Sequence, residues 1–80
     1  MITRLEGKII MKGDKFLALD VNGVGYRIFC SSQTLKKAPK NSETFSLWTH
    51  LHVRENALEL YGFLEYAELE FFEMLIQISG

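Results

Sequence analysis

The sequence predicts a mainly β domain: a small barrel of five or six strands with a short helical linker and a C-terminal α-helix. Three observations lead to this class. Eighty residues, 48% apolar and 24% charged, suffice for one small globular domain. Turn signals divide residues 2–63 into short segments of strand character. Residues 65–78 then show a helical pattern that contains neither Gly nor Pro.

The first half of the chain predicts a meander of three strands at residues 2–12, 15–21 and 24–30. Gly13-Asp14 predicts a tight turn in which Gly13 adopts a positive φ. Asn22-Gly23 is the strongest short hairpin signal in the chain, because both residues tolerate a left-handed backbone. Gly25 lies inside the third strand and indicates a β-bulge or a sharp bend.

A polar linker separates this meander from a second pair of strands. Ser31-Ser32 can cap a short helix over residues 33–37, and Pro39 prevents its continuation. Apolar and polar residues then alternate over residues 45–53, which predicts a strand, and residues 57–63 predict a fifth strand after a turn at 54–56. This order predicts an OB-fold-like Greek-key barrel, although other small barrels share the strand count.

The predicted C-terminal helix is apolar over most of its circumference. From Leu69 to Ile78 only Glu70, Glu73 and Gln77 are polar, and they form one narrow stripe. A helix packed on one barrel needs a single apolar face. We therefore expect two bodies to pack on it: the barrel, and a domain or subunit outside this chain.

Charge and composition exclude several classes of protein. The net charge of −1 argues against a protein that grips phosphates over its whole surface. Cys30 is the single cysteine, so an internal disulfide is excluded. His50 and His52 share a strand face but lack an evident third ligand, which disfavours a metal site. The chain has neither an apolar signal core nor a run of membrane-spanning length, so we expect a cytoplasmic protein without a membrane partner.

Four ordered blocks carry a resemblance to a known family. They are residues 1–8 (MITRLEGK), 20–26 (DVNGVGY), 49–63 (THLHVRENALELYGF) and the helix with Phe72 and Leu75-Ile76 that runs into Gly80. On these residues the chain resembles the RuvA family, the junction-binding subunits of the bacterial branch-migration complex.

The resemblance implies a domain organisation and a function. Residues 1–63 would form the N-terminal barrel and residues 64–80 the start of a helical domain II, with the first DNA-gripping hairpin beginning at Gly80. Members of the family are homotetramers that hold four-way junction DNA open and planar. They work with the hexameric motor RuvB, which holds the ATPase, in recombination, DNA repair and the SOS response to DNA damage. The resemblance implies no catalytic residue and no cofactor in this domain.

The resemblance also implies a site at the turn between the fourth and fifth strands. There the family carries two adjacent acidic residues, the acidic pin, which repels phosphates near the junction centre. In this chain the positions are Glu55, which matches, and Asn56, which departs from the pattern. Arg54 would either pair with a phosphate or steady the pin through an ion pair with Glu55 or a neighbouring subunit. Without the resemblance, residues 54–56 would be an ordinary solvated turn.

Two other functions remain open at this level. A stand-alone module for single-stranded nucleic acid would use exposed aromatic residues such as Trp48 to stack bases. A domain that serves only oligomerisation would bind no nucleic acid.

Overall fold

The computed structural model describes residues 1–79, and the expectation attached to Gly80 therefore lies outside the described residues. Every predicted element is present, with bounds within two residues of those expected. The elements in chain order are β1 (Arg4–Lys12), β2 (Phe16–Val21), β3 (Val24–Phe29), α1 (Ser32–Lys37), β4 (Thr44–Arg54), β5 (Ala57–Phe63) and α2 (Tyr66–Ser79).

The strands form a closed barrel in the order β1-β2-β3-β5-β4, which confirms the predicted fold class with five strands. The first three strands pair antiparallel as a meander. β5 then pairs parallel to β3, while β4 pairs antiparallel to both β5 and β1 and closes the sheet. Closure pairs every strand on both sides over at least part of its length, which limits association through the backbone.

The barrel interior is filled by aliphatic side chains from all five strands: Ile9, Leu17, Leu19, Ile28, Leu47 and Leu60. Thr49 is the polar exception on the inner face of β4, and it is 1% exposed. Its hydroxyl donates a hydrogen bond to the Ile2 carbonyl at 2.8 Å, so the polar group is buried without loss of a partner.

The predicted glycine turns have different outcomes. At Asn22-Gly23 both residues have positive φ, 52° and 88°, as expected for this hairpin. The positive φ predicted for Gly13 is wrong, because Gly23 is the one glycine with positive φ in residues 1–79. Gly13 instead lies against the Phe16 ring, where a Cβ atom would overlap that ring.

Of the two alternatives predicted at Gly25, the bulge is wrong, and the sharp bend stays a prediction. β2 and β3 pair in regular register through Asp20 and Gly25. The irregularity lies in β1 between Ile9 and Met11, and it leaves the consecutive side chains Ile10 and Met11 both about half exposed. No glycine marks that site, so composition provided no signal for it.

Both helices begin at local hydrogen bonds. Ser31 caps α1, as predicted, and accepts a bond from the Thr34 amide. α2 follows Glu65, whose backbone amide donates to the Glu68 carboxylate at 3.1 Å. This is one half of a capping box, with Glu68 three residues after the cap. The residues 1–79 contain no helix long and apolar enough to cross a membrane.

Candidate nucleic-acid interface

The hairpin of β4 and β5 extends past the body of the barrel. β5 pairs with β3 at only two positions, Leu60 and Tyr61, whereas it pairs with β4 from Ala57 to Phe63. Towards its tip, the hairpin therefore has no third strand beside it within residues 1–79: β4 and β5 pair only with each other there. Val53 and Leu58 oppose each other there and are 63% and 71% exposed, although they continue the inner face of the barrel.

The hairpin tip is a two-residue turn made of Glu55 and Asn56. Arg54 pairs with Ala57 across it, so Arg54 belongs to β4 rather than to the turn, in contrast to the predicted turn at 54–56. Both tip residues are exposed. β3 and β5 run parallel and each begins directly after its turn, so this tip lies at the same end of the barrel as Asn22-Gly23.

Arg54 has a defined partner on the neighbouring strand. Its Nη2 atom lies 2.7 Å from Oε1 of Glu59, which is the diagonal neighbour across the hairpin. The Tyr61 hydroxyl donates to the same carboxylate at 2.8 Å. Of the predicted partners of Arg54, Glu55 is replaced by Glu59 in the structure, while a phosphate and a neighbouring subunit stay predictions.

The electrostatics of this group follow from those contacts. The hydrogen bond from Tyr61 and, after it, the charge of Arg54 lower the pKa of Glu59 below its ordinary value. The same hydrogen bond raises the pKa of Tyr61. Glu59 is therefore ionised at neutral pH, and its charge balances that of Arg54.

Arg54, Glu59 and Tyr61 lie on the outer surface of the β4–β5 hairpin. Away from the tip, α2 covers this outer surface. Trp48 packs edge-on against Tyr66 with ring centroids 5.0 Å apart, and Arg4 stacks over the Trp48 ring. Phe72 contacts Tyr61 and Phe63, with centroids at 5.4 and 5.1 Å. Trp48, Tyr61 and Phe63, the aromatic residues of this face, are thus in contact with side chains of the domain's own helix.

The two histidines on this face differ in their surroundings. His50 packs against Phe72 and makes a hydrogen bond to Glu73, while His52 faces Glu59 across the hairpin. Their ring centroids are 6.3 Å apart. Residues 1–79 contain no group of three or more potential metal ligands.

Cys30 lies away from the hairpin tip, after the end of β3. It lines a cavity of about 560 Å³ beside Phe29, Tyr61 and Phe72. Burial raises the pKa of its thiol to about 12, so the group is a thiol rather than a thiolate at neutral pH. It behaves as a small apolar side chain in this position.

The structure thus brings Arg54, Glu55 and Asn56 together at one end of the barrel and places Gly13 at the other. Sequence reasoning missed Glu59, Tyr61 and Glu73. The period of two along residues 57–63 would have placed Glu59 and Tyr61 on one face, but their partners depend on the register with β4.

Residues 1–62 match the family described as the RuvA N-terminal domain. The chain belongs to this family. The match includes the barrel and the whole β4–β5 hairpin except Phe63, and it confirms the resemblance seen in the sequence.

Several relatives of the RuvA family match this chain over all of its 80 residues. "Holliday junction branch migration complex subunit RuvA" of Methylorubrum populi is 45% identical, and the match covers 38% of that protein. The proteins of the same name from Geobacter sulfurreducens and Symbiobacterium thermophilum are 42% and 41% identical, with 40% and 39% of their lengths covered. The chain therefore spans about two fifths of the length of these RuvA relatives.

Proposed function

We propose that this chain is the barrel domain of a non-catalytic scaffold that binds four-way junction DNA, with Glu55 as the pin at the junction centre. The observation that carries the proposal is the exposed Glu55-Asn56 tip on a hairpin that extends past a RuvA-type barrel. Its relatives are named as subunits of a Holliday junction branch migration complex.

The physical role of the pin is repulsion. A carboxylate on a stiff hairpin raises the free energy of phosphates that come within about 8 Å at physiological salt. It therefore keeps DNA strands apart around the point where they cross. With Asn56 in the second position, each subunit contributes one tip carboxylate instead of two.

The wider assembly belongs to the same proposal. Residues 1–63 form domain I and residues 64–80 begin a helical domain II. Four subunits surround the junction, and the partner RuvB supplies ATP-driven movement during recombination and DNA repair in the cytoplasm. The exposed side chains Phe71, Met74 and Ile78 of α2 support this, since they leave an apolar face free for further packing.

Binding of single-stranded nucleic acid is a weaker alternative. Trp48, Tyr61 and Phe63 lie under α2 and are not free to stack on bases. A domain that serves only oligomerisation remains a second alternative, and an absence of DNA binding would favour it.

The proposal is tested in a chimaera in which this chain replaces the matching residues of Methylorubrum populi RuvA. We expect the chimaera to bind a four-way junction more tightly than a single strand in gel-shift assays. Glu55→Gln should tighten junction binding by about two-fold or more at low salt, and the gain should shrink as salt screens the charge.

Glu43→Gln is the matched control, because Glu43 is exposed on the loop before β4 at the other end of the barrel. Equal junction affinities for Glu55→Gln, Glu43→Gln and the parent would contradict the proposed repulsion of DNA by Glu55. Preference for a single strand would support the first alternative.

A further inference from the structure

We infer that Glu59 and Tyr61 are positioning residues that hold Arg54 along the hairpin and away from the tip, so that Glu55 presents its negative charge uncancelled. The inference deepens the proposed function and rests on it for its biological meaning. Its physical content, the charge at the tip, is measurable without DNA.

The argument begins with the position of Arg54, which directly precedes Glu55 in the chain. A free guanidinium at this position would lie within the screening length of the Glu55 carboxylate. Asn56 carries no charge and Ala57 offers no acidic group across the turn. An unrestrained Arg54 would therefore neutralise the tip or contact an approaching phosphate.

The alternation of side chains along the strands provides the restraint. Arg54 and His52 on β4 share one face with Ala57, Glu59 and Tyr61 on β5. Glu55 lies in the turn beyond this face. On the face, the Glu59 carboxylate receives bonds from both Arg54 and the Tyr61 hydroxyl, at 2.7 and 2.8 Å.

Tyr61 is itself fixed from the other side. Its ring packs on Phe72 of α2 and on Phe29 of β3, at centroid distances of 5.4 and 5.8 Å. Contacts therefore run from the helix through Tyr61 and Glu59 to Arg54. The Glu59 side chain is 21% exposed and the Arg54 side chain 56% exposed, so the restraint depends on the position of the Glu59 carboxylate rather than on burial of the arginine.

His52 is the other titratable group that faces Glu59, as its direct cross-strand partner. A positive charge on His52 acts on the Glu59 carboxylate in the same direction as that of Arg54. The test below is therefore done at one fixed pH in every variant.

The experiment measures the charge at the tip in the 80-residue chain by NMR. Cationic and anionic nitroxides relax amide protons according to the local potential, so the ratio of their effects at Glu55 and Asn56 reports the sign of the charge there. Arg54→Gln is introduced into the parent and into the Glu59→Gln variant, and its effect on the ratio is compared between them. This cycle cancels the charge that Glu59 itself contributes.

We expect Arg54→Gln to change the ratio little in the parent, because Arg54 is already held away from the tip. In the Glu59→Gln background it should raise the cation-to-anion ratio by about two- to three-fold, as expected for one unit charge near 8 Å in water. Tyr61→Phe, which changes no charge, provides a second background. In it Arg54→Gln should also raise the cation-to-anion ratio. Tyr26→Phe on β3 is the matched control for Tyr61→Phe.

An equal effect of Arg54→Gln in all backgrounds would overturn the inference. Unchanged amide shifts along β4 and β5 verify that each variant retains the hairpin. If the charge cycle succeeds but Glu55→Gln leaves junction affinity unaltered, the positioning role stands and the proposed function fails.

Discussion

His50 and Glu73 connect the barrel to the C-terminal helix by a hydrogen bond of 2.8 Å between Nδ1 and Oε2. A carboxylate has no proton to donate, so the imidazole N–H is the donor. Leu69, Phe72 and Ile76 flank this contact on the same side of α2 and are wholly or partly buried. The helix is therefore docked by an apolar stripe with one polar bond in it.

The first prediction concerns this bond. Glu73→Gln should lower the free energy of unfolding by about 0.5–1.5 kcal/mol, because it removes the charge from a partly exposed hydrogen bond. Glu70→Gln, on an exposed position of the same helix, should stay within about 0.5 kcal/mol of the parent. Urea unfolding of both variants measures the difference. Equal stabilities would mean that apolar contacts alone dock α2.

The second prediction concerns two strand glycines in contrasting environments, Gly62 buried and Gly25 exposed. A Cβ atom on Gly62 would lie 2.6 Å from Ile28 Cγ2 and 3.0 Å from Leu47 Cδ1, inside the barrel core. Gly62→Ala should destabilise the domain by about 1–3 kcal/mol through overpacking. At Gly25 the nearest atom would be 3.7 Å away, in ordinary contact, so Gly25→Ala should have a much smaller effect. Thermal unfolding compares the two, and a milder effect at Gly62 would contradict the packing argument.

Local signals in the sequence predicted the helices and strands, but they did not predict which side chains contact each other across neighbouring strands. The alternation over residues 45–53 correctly predicted a strand, since strand periodicity is a local property. In the structure Leu47 and Thr49 lie on its buried face. The partner of Arg54 depends on register, and register depends on turn length. The sequence predicted a three-residue turn that included Arg54, so no cross-strand partner was expected for it. Because the turn has two residues, Arg54 pairs with Ala57 and reaches Glu59 diagonally.

The third prediction concerns Cys30. Its pKa of about 12 instead of the ordinary 9.0 lowers the thiolate population at pH 8 by about a thousandfold. The greater intrinsic nucleophilicity of a more basic thiolate offsets part of this, so modification should be roughly fifty-fold slower than for an unperturbed thiol. Reaction with Ellman's reagent measures the rate, with the urea-unfolded chain as reference. Equal rates in both states would show that Cys30 is open to solvent.

The fourth prediction concerns the second position of the tip. Asn56→Asp adds a second carboxylate next to Glu55, and the exposed turn accommodates it without new contacts. In the chimaera with Methylorubrum populi RuvA, it should weaken junction binding at low salt by about two-fold or more, with the loss shrinking as salt increases. Branch-migration rate with the RuvB motor is the second measurement. Unchanged affinity and unchanged rate would contradict a repulsive role for this position.

The fifth prediction concerns pH and the Tyr61 hydroxyl. Because the pKa of Glu59 is lowered in the folded state, the unfolded chain binds more protons in acid. The stabilisation from this contact is therefore present above the ordinary value of 4.5 and is lost as the pH falls through the lower folded pKa.

Tyr61→Phe keeps the ring on Phe72 but removes the hydroxyl that is the main cause of the shift in the Glu59 pKa. The difference in unfolding free energy between parent and variant should be larger at pH 7 than at pH 3. Since the pKa of Tyr61 is raised above the ordinary value of 10.0, its own contribution is fully present below that value and is lost as the pH rises through the higher folded pKa, so the difference should also decrease in strong base. Urea unfolding at pH 3, 7 and 11 measures the profile, with Tyr26→Phe as the control. A difference that is constant across these values would mean that the hydroxyl stabilises the hairpin without the carboxylate.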